Sequence, residues 1–159
     1  MIESIGSHTN VEWLEGNDLN LENGILVNSF LRAVKNDGTP WENVFAVGDI
    51  ARFPNEVYDN VARRVEHWNI PTETAKRVAT VICNPDAPAQ FRPIPSFWSD
   101  QYDIHMLGFG MLGLADEVKL VDGDISGDCV FGYYRKGKMV GVCGIGMRSV
   151  VQSFRKEFV

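Results

Sequence analysis

The sequence is short of several features that mark common classes of protein. Its 159 residues carry a formal net charge of −6, and neither half is basic: residues 1–89 hold 7 Lys and Arg against 13 Asp and Glu, and residues 90–159 hold 8 against 8. Because binding to a phosphate backbone requires a basic surface, we expect no nucleic-acid partner. The apolar runs are far shorter than the roughly 20 residues of a membrane span, and no charged and then apolar leader opens the chain. We therefore expect neither a membrane partner nor secretion.

Cysteine is scarce, and histidine is scattered. The three cysteines, Cys83, Cys129 and Cys143, form no close pair, which argues against a disulfide framework, a zinc knuckle or a redox dithiol. The three histidines lack the spacing of metal ligands, so we expect no metal site. We interpret the cysteines as buried, reduced thiols of a cytoplasmic protein.

The first half of the chain alternates short apolar runs with turn-forming residues, which predicts short strands up to about residue 37. The run Val44–Val47 stops at Gly48 and Asp49, a pattern typical of a strand buried on both faces in the middle of a layered sheet. Apolar residues at helical spacing then predict an amphipathic helix that begins near Asn69. They are Ala75, Val78, Ala79 and Ile82.

A passage with four prolines between residues 85 and 95 is stiff and extended, so we expect a domain boundary that separates residues 1–89 from residues 90–159. Beyond it, alternation over residues 117–121 predicts a strand. Two further β runs flank a tight turn at Lys136-Gly137 and predict a hairpin.

Apolar residues at near-helical spacing close the chain and predict a terminal helix that packs on this sheet; they are Val150, Val151, Phe154 and Phe158. The fold class is therefore α+β, with a C-terminal antiparallel sheet flanked by helices.

Chemistry-bearing motifs are few. Gly108–Gly113 satisfies the letters of a dinucleotide-binding fingerprint, but a strand and not a helix is predicted after it, so we interpret it as a glycine-rich turn. The segment Arg63–Trp68 places charges, a histidine and a tryptophan at a helix start, where anionic or electron-rich ligand groups are favoured. Pro95–Gln101 places two aromatics among polar residues. Taken singly, these two segments are more typical of a solvated charge run and of core anchors.

Three segments, in this order, resemble the C-terminal part of FAD-dependent, NADH-linked ferredoxin reductases: Val44–Ala51, Arg63–Trp68 and Pro95–Gln101. The resemblance extends from Ile5 to the C-terminus. It implies that residues 1–89 are a partial segment of the NAD and FAD domains, with the last strand and helix of an α/β flavin domain. Residues 90–159 would then be the C-terminal interface domain of a reductase.

The resemblance implies FAD as the cofactor, NADH as the electron donor and a ferredoxin or rubredoxin as the partner. The cofactor-binding residues that it implies are Gly48, Asp49, Glu66, His67, Trp68 and Trp98. Asp49 would accept a hydrogen bond from the ribityl chain, Gly48 would leave room for the cofactor, and Trp98 would cover the flavin ring. No side chain is expected to act as a catalytic acid or base.

The chain departs from the family because neither glycine-rich dinucleotide fingerprint is present in a βαβ unit. We therefore expect the isolated chain to be inactive and to lack FAD. A second hypothesis is a non-catalytic dimerisation or interaction module, with a homodimer as one form of it. Pro71 is a smaller departure, which we expect to shift the start of the helix.

Overall fold

The computed structural model describes residues 6–84 and 90–158, and these divide into two compact units. The N-terminal unit contains residues 6–66, 70–84 and 90–92, and the C-terminal unit contains residues 67–69 and 93–158. The proline passage expected as a domain boundary falls partly on residues 85–89, which lie outside the described residues.

The N-terminal unit is built from short strands, as its turn-rich sequence predicts. The strands are β1 (Ile25–Leu26), β2 (Arg32–Val34), β3 (Pro40–Phe45), β4 (Ala51–Phe53) and β5 (Arg63–Arg64). Strands β1, β4 and β5 form one sheet in that order, with β1 parallel and β5 antiparallel to β4, and β2 pairs antiparallel with β3. Single turns of 3-10 helix lie at Glu12–Leu14 and Gly48–Ile50.

The interpretation of Val44–Val47 as a central strand is wrong. Strand β3 ends at Phe45 and belongs to a two-stranded ladder in which Phe45 is paired with Arg32. Val44 is only half-buried and Val47 is exposed. An apolar run of four residues carries too little periodicity to distinguish a central strand from the end of a hairpin.

Helix α1 (Asn69–Cys83) confirms the predicted helix. Pro71 lies in its first turn, where a missing N–H leaves no bond unmade. The predicted inward face is wrong, because Ile70, Thr74 and Val81 are buried whereas Ala79 and Ile82 are exposed. Thr74 tolerates burial because its hydroxyl donates to the Ile70 carbonyl at 2.8 Å.

The predicted antiparallel sheet is confirmed in the C-terminal unit, where it has five strands. Its strands are β6 (Ser96–Gln101), β7 (Ile104–Gly110), β8 (Glu117–Gly123), β9 (Cys129–Arg135) and β10 (Lys138–Ile145), in the order β6-β7-β10-β9-β8. Lys136 and Gly137 both have positive φ, at 51° and 78°, which is the type I′ turn that matches strand twist. The predicted hairpin between β9 and β10 is confirmed.

The interpretation of Gly108–Gly113 as a turn is wrong in part, because Gly108 and Gly110 lie within β7. A Cβ on Gly108 would lie 2.3 Å from the Phe97 ring, and Gly110 has a φ of 91°. The element after β7 is a 3-10 turn at Leu112–Leu114, so no helix is present to receive a pyrophosphate.

The terminal helix is also confirmed, as α2 (Arg148–Ser153), and continues as a 3-10 turn over Phe154–Phe158. It packs on the sheet because Gly144 has no side chain: a Cβ there would lie 2.5 Å from Val151 Cγ2.

The expectation of three buried thiols is wrong for Cys83, which is exposed at the end of α1. Cys129 and Cys143 are buried, and burial first, then the neighbouring Cys129, raises the pKa of Cys143. Among the described residues, no helix has the length and apolar character of a membrane span.

Candidate functional site

In the N-terminal unit, a polar cluster is formed by Gly48, Asp49, Arg64 and Glu66. Gly48 has a φ of 74°, a conformation that favours glycine, and its N–H donates to Thr74 Oγ1 at 3.0 Å. A Cβ on Gly48 would meet only Pro71 Cβ, at 3.9 Å. The turn therefore presents main chain with little side-chain cover.

Asp49 is the exposed residue of this turn. Its main-chain carbonyl accepts a hydrogen bond from Arg64 Nη1 at 3.0 Å. Within the part of the chain that the structure describes, its carboxylate forms no hydrogen bond or ion pair. The main chain of Asp49 is thus held in place while its carboxylate remains available to an external donor.

Glu66 differs from Asp49 because its carboxylate is engaged. Glu66 Oε1 accepts hydrogen bonds from Ser7 Oγ and from Arg64 Nη1, the latter at 2.5 Å. These bonds, with the Ser7 hydroxyl first and the Arg64 guanidinium next, lower the pKa of Glu66. The carboxylate is therefore ionised at neutral pH and suits an electrostatic role better than that of a proton donor.

In the C-terminal unit, an aromatic cluster is formed by His67, Trp68, Phe97 and Trp98. The His67 and Phe97 rings meet edge to face with centroids 5.7 Å apart, and the Trp68 and Trp98 rings lie 6.3 Å apart at a 41° tilt. Trp68 is 81% exposed and Trp98 is 54% exposed. The core-anchor interpretation is therefore wrong for Trp98, whereas Phe97 does pack inward against Gly108.

Asn69 fixes the segment that carries His67 and Trp68. Its Nδ2 donates to the Ile94 carbonyl at 3.3 Å, and its Oδ1 accepts from the Ser96 N–H at 3.2 Å. These two bonds join residues 67–69 to the start of β6, which explains why His67 and Trp68 lie beside the aromatic residues of that strand. In the sequence, Asn69 is recognisable only as a helix-start signal, and no pattern indicates this role.

A groove of about 620 Å³ opens beside Trp98 on the C-terminal sheet. Asp100 and His105 line the groove and are paired across β6 and β7. His105 Nδ1 lies 2.7 Å from Asp100 Oδ1. Gly144 and Arg148 also line the groove. The groove thus extends the exposed face of Trp98 with a few polar groups, which is the composition of small-molecule sites.

The structure places the implied cofactor residues in two sets. Gly48, Asp49 and Glu66 lie in the polar cluster of one unit, and His67, Trp68 and Trp98 lie in the aromatic cluster of the other. In the first set, an available carboxylate acceptor beside uncovered main chain can accept hydrogen bonds from hydroxyl groups. In the second set, flat exposed indoles can contact an aromatic ring. Arg64 is a further member of the polar cluster, and in the sequence it stands out only as part of a charged run.

Known proteins are similar to this chain over most of its length. No protein-family model matches the sequence. Putidaredoxin reductase of Pseudomonas putida is 34% identical over 116 residues, which cover 73% of this chain and 25% of that protein. The ferredoxin–NAD(+) reductase component of the anthranilate 1,2-dioxygenase system of Burkholderia cepacia is 27% identical over 159 residues, which cover 98% of this chain and 36% of that protein.

A solved structure has the same fold. The covalent putidaredoxin reductase–putidaredoxin complex aligns with a TM-score of 0.80 and 25% identity, over 94% of this chain and 34% of that chain. The sequence similarity and the fold thus place the chain among the flavin-dependent oxidoreductases. The chain belongs to the family of FAD-dependent ferredoxin reductases and corresponds to their C-terminal part. It spans between a quarter and about a third of the length of the two curated relatives named above.

Proposed function

We propose that this chain is the C-terminal portion of a flavoprotein oxidoreductase that passes electrons from NADH through FAD to a ferredoxin or rubredoxin. The structural observation that carries the proposal is the Gly48–Ile50 turn, where Asp49 has a fixed main chain and an available carboxylate. The similarity to putidaredoxin reductase supports it.

The two regions of the sequence have different parts in this proposal. Residues 1–89 would supply the last strand and helix of the flavin domain together with the end of the NAD domain. Residues 90–159 would form the C-terminal interface domain. The continuous sheet of the C-terminal unit and the short ladders of the N-terminal unit support this division.

The proposed roles come from the family resemblance, and the geometry of each side chain supports them. FAD, when bound, supplies the conversion of a two-electron hydride transfer into single-electron steps. Asp49 accepts a hydrogen bond from the ribityl chain, and Gly48 allows close approach to the main chain. Trp68 and Trp98 would stack against the flavin and exclude water from it. His67, which is adjacent to Trp68 in the sequence, packs against the Phe97 ring. None of these roles requires a side chain to transfer a proton.

The proposed partner is a small iron–sulfur protein. Support comes from a relative of the same fold, putidaredoxin reductase, which is known in covalent complex with putidaredoxin. A half-exposed Trp98 next to an open groove offers an aromatic contact surface of the kind that is enriched at protein interfaces. We also propose a cytoplasmic location, because Cys83, Cys129 and Cys143 are all unbridged.

Parallel titrations of the purified chain with FAD and with riboflavin test the proposal. We expect both dissociation constants to be weaker than micromolar and nearly equal, because only the flavin half of FAD meets residues of this chain. Asp49→Asn should weaken riboflavin binding, and Asp18→Asn, in an exposed loop of the same unit, should not. FAD binding at micromolar affinity or better would contradict the expectation that the isolated chain lacks FAD. Equal riboflavin binding by the two variants would remove Asp49 from the site.

The alternative, a non-catalytic dimerisation or interaction module, is favoured by exposed apolar side chains in the N-terminal unit. Trp13, Val61 and Ile82 are among them. This alternative predicts a homodimer or larger species by light scattering and no saturable riboflavin binding. A monomer that binds riboflavin would exclude it.

A further inference from the structure

The side chain of Arg64 joins three separate segments of the N-terminal unit. Its Nε donates to Asn23 Oδ1 at 3.1 Å, and its Nη1 donates to the Asp49 carbonyl at 3.0 Å and to Glu66 Oε1 at 2.5 Å. We propose that Arg64 is a positioning residue, which fixes the turn that carries Asp49 relative to the Glu66 carboxylate. Its relevance to flavin binding rests on the function proposed above.

The burial of Arg64 favours a geometric role over a purely stabilising one. Its side chain is only 12% exposed, whereas that of its charged partner Glu66 is 41% exposed. Moving a guanidinium out of water is costly, and apolar residues of similar volume often stabilise a fold as well as a buried ion pair does. The guanidinium does what an apolar residue cannot, since its planar fork of donors holds several acceptors in fixed directions.

The turn that precedes β1 leaves room for the side chain of Arg64. Asn23 and Gly24 both have positive φ, at 53° and 102°, in the turn that precedes β1. A Cβ on Gly24 would lie 2.7 Å from Arg64 Cδ and 2.6 Å from the Ile50 carbonyl oxygen. The Asn-Gly turn therefore supplies both an acceptor for the Arg64 side chain and the room in which it lies against the Gly48–Ile50 turn.

Arg63 provides a matched control on the same strand. It donates to both carboxylate oxygens of Asp59, at 2.5 and 2.8 Å, and to the Val61 carbonyl. These partners lie two and four residues away, so Arg63 secures its own loop. Replacing either arginine by glutamine removes one positive charge from β5, but only Arg64→Gln removes the bonds to Asp49 and Glu66.

The test uses the full chain without flavin, as Arg64→Gln, Arg64→Lys and Arg63→Gln. Hydrogen exchange is measured at the Ala51 amide, which closes the turn by donating to the Gly48 carbonyl, and the Glu66 carboxylate is titrated by carbon-13 NMR. Arg64→Gln should speed Ala51 exchange about tenfold or more, as expected for loss of a hydrogen bond from a charged donor. It should also return the pKa of Glu66 toward its ordinary value.

Arg64→Lys separates charge from geometry. It should keep part of the effect on the Glu66 pKa, because the charge remains, but it should not restore the protection of Ala51. Arg63→Gln should change neither quantity. If Arg64→Gln fails to fold, Asn23→Gly removes a single acceptor while keeping a residue suited to positive φ, and should give a smaller change in the same direction. Wild-type values of both quantities in a folded Arg64→Gln or Asn23→Gly variant would overturn the proposal.

Riboflavin titration of the same variants distinguishes this inference from the proposed function. If the positioning matters for flavin binding, the riboflavin dissociation constant should rise about tenfold in Arg64→Gln and remain unchanged in Arg63→Gln. If Ala51 and Glu66 respond as expected but the wild-type chain binds no riboflavin, Arg64 still positions the turn and the flavin assignment fails for this chain.

Discussion

The C-terminal unit and the N-terminal unit are each stabilised internally by a different kind of contact. In the C-terminal unit, five strands of six to eight residues form one sheet with a nearly continuous register. In the N-terminal unit, β1 and β5 have two residues each, and side chains such as Arg64 and Thr74 join segments far apart in sequence. Main-chain ladders therefore determine one unit, and specific side-chain contacts determine much of the other.

This contrast predicts that the C-terminal unit is most sensitive to changes that separate its strands. In Gly110→Ala, a Cβ would lie 2.4 Å from the Val140 carbonyl oxygen at a φ of 91°. The clash and the backbone strain together should cost about 4 kcal/mol. Urea unfolding, followed by hydrogen exchange in β7 and β10, measures the loss.

Gly113→Ala is the matched control for this variant. A Cβ on Gly113 would meet no atom within 4 Å apart from its chain neighbours, and its φ is not positive. The free energy of unfolding of this variant should therefore stay within about 0.5 kcal/mol of the wild type. Equal losses in the two variants would show that close strand approach does not limit the stability of this sheet.

In the N-terminal unit, the largest effect is expected from its buried apolar residues. Leu31 is fully buried, and truncating such a leucine to alanine costs about 3 kcal/mol. Ile82→Ala, on the exposed side of α1, should cost far less. Residue-resolved hydrogen exchange should show the loss at β1, β2 and β4. If amides of β9 and β10 lose protection to the same extent, the two units unfold as one and the contrast between them is broken.

The sequence predicts the elements that depend on local patterns better than those that depend on contacts between distant segments. The strand at 117–121 and the turn at Lys136-Gly137 are local patterns, and both are confirmed. The interpretation of Val44–Val47 as a central strand is wrong because β3 pairs with β2, and no local pattern encodes which segment a strand pairs with. On α1, the apolar residues that include Ile82 predict the wrong buried face. Thr74 is buried instead, because its hydroxyl donates to a main-chain carbonyl of the same helix, and hydropathy does not encode that bond.

The candidate site follows the same division. Motif order predicts Asp49, Glu66 and Trp98 as site residues, because each occupies a recognisable segment. The sequence does not predict the residues that hold those segments. Arg64 donates hydrogen bonds to acceptors up to 41 residues away, and Asn69 Oδ1 accepts from the main chain of β6. Contacts of this range leave no trace in spacing or hydropathy, so only the structure reveals them.

An intermediate effect is expected at Trp98. Because its side chain is 54% exposed, Trp98→Ala should cost about 1 kcal/mol of stability, well below the 3–5 kcal/mol typical of a buried tryptophan. The proposed function predicts that, in a full-length reductase that contains this chain, Trp98→Ala lowers NADH-dependent reduction more than it lowers stability. Urea unfolding and NADH-dependent reduction per folded molecule are the two measurements.

Trp41→Ala is the control for Trp98, because Trp41 is also exposed but belongs to the N-terminal unit, where its ring contacts Lys35 Nζ. It should leave reduction per folded molecule unchanged. Normal reduction by Trp98→Ala, together with a loss of several kcal/mol in stability, would restore the interpretation of Trp98 as a core residue.

The smallest effect concerns pH and the N-terminal unit alone. The pKa of Glu66 lies below its ordinary value of 4.5 in the folded chain, so its contribution to stability is complete above that pH and is lost as the pH falls through the folded pKa. Ser7→Ala removes the largest cause of this lowering, and Glu66→Gln removes the titration. The effect is small because water screens a carboxylate that is 41% exposed.

Urea unfolding between pH 7 and pH 3 tests this expectation. The stability difference between the wild type and Glu66→Gln should shrink as the pH falls below 4.5, and Ser7→Ala should behave as an intermediate. Ser149→Ala, on the exposed surface of the C-terminal unit, should follow the wild type throughout. A difference between the wild type and Glu66→Gln that stays constant over this range would mean that the Ser7 and Arg64 bonds do not favour the ionised carboxylate, and the long-range links of the N-terminal unit would then be weaker than their distances imply.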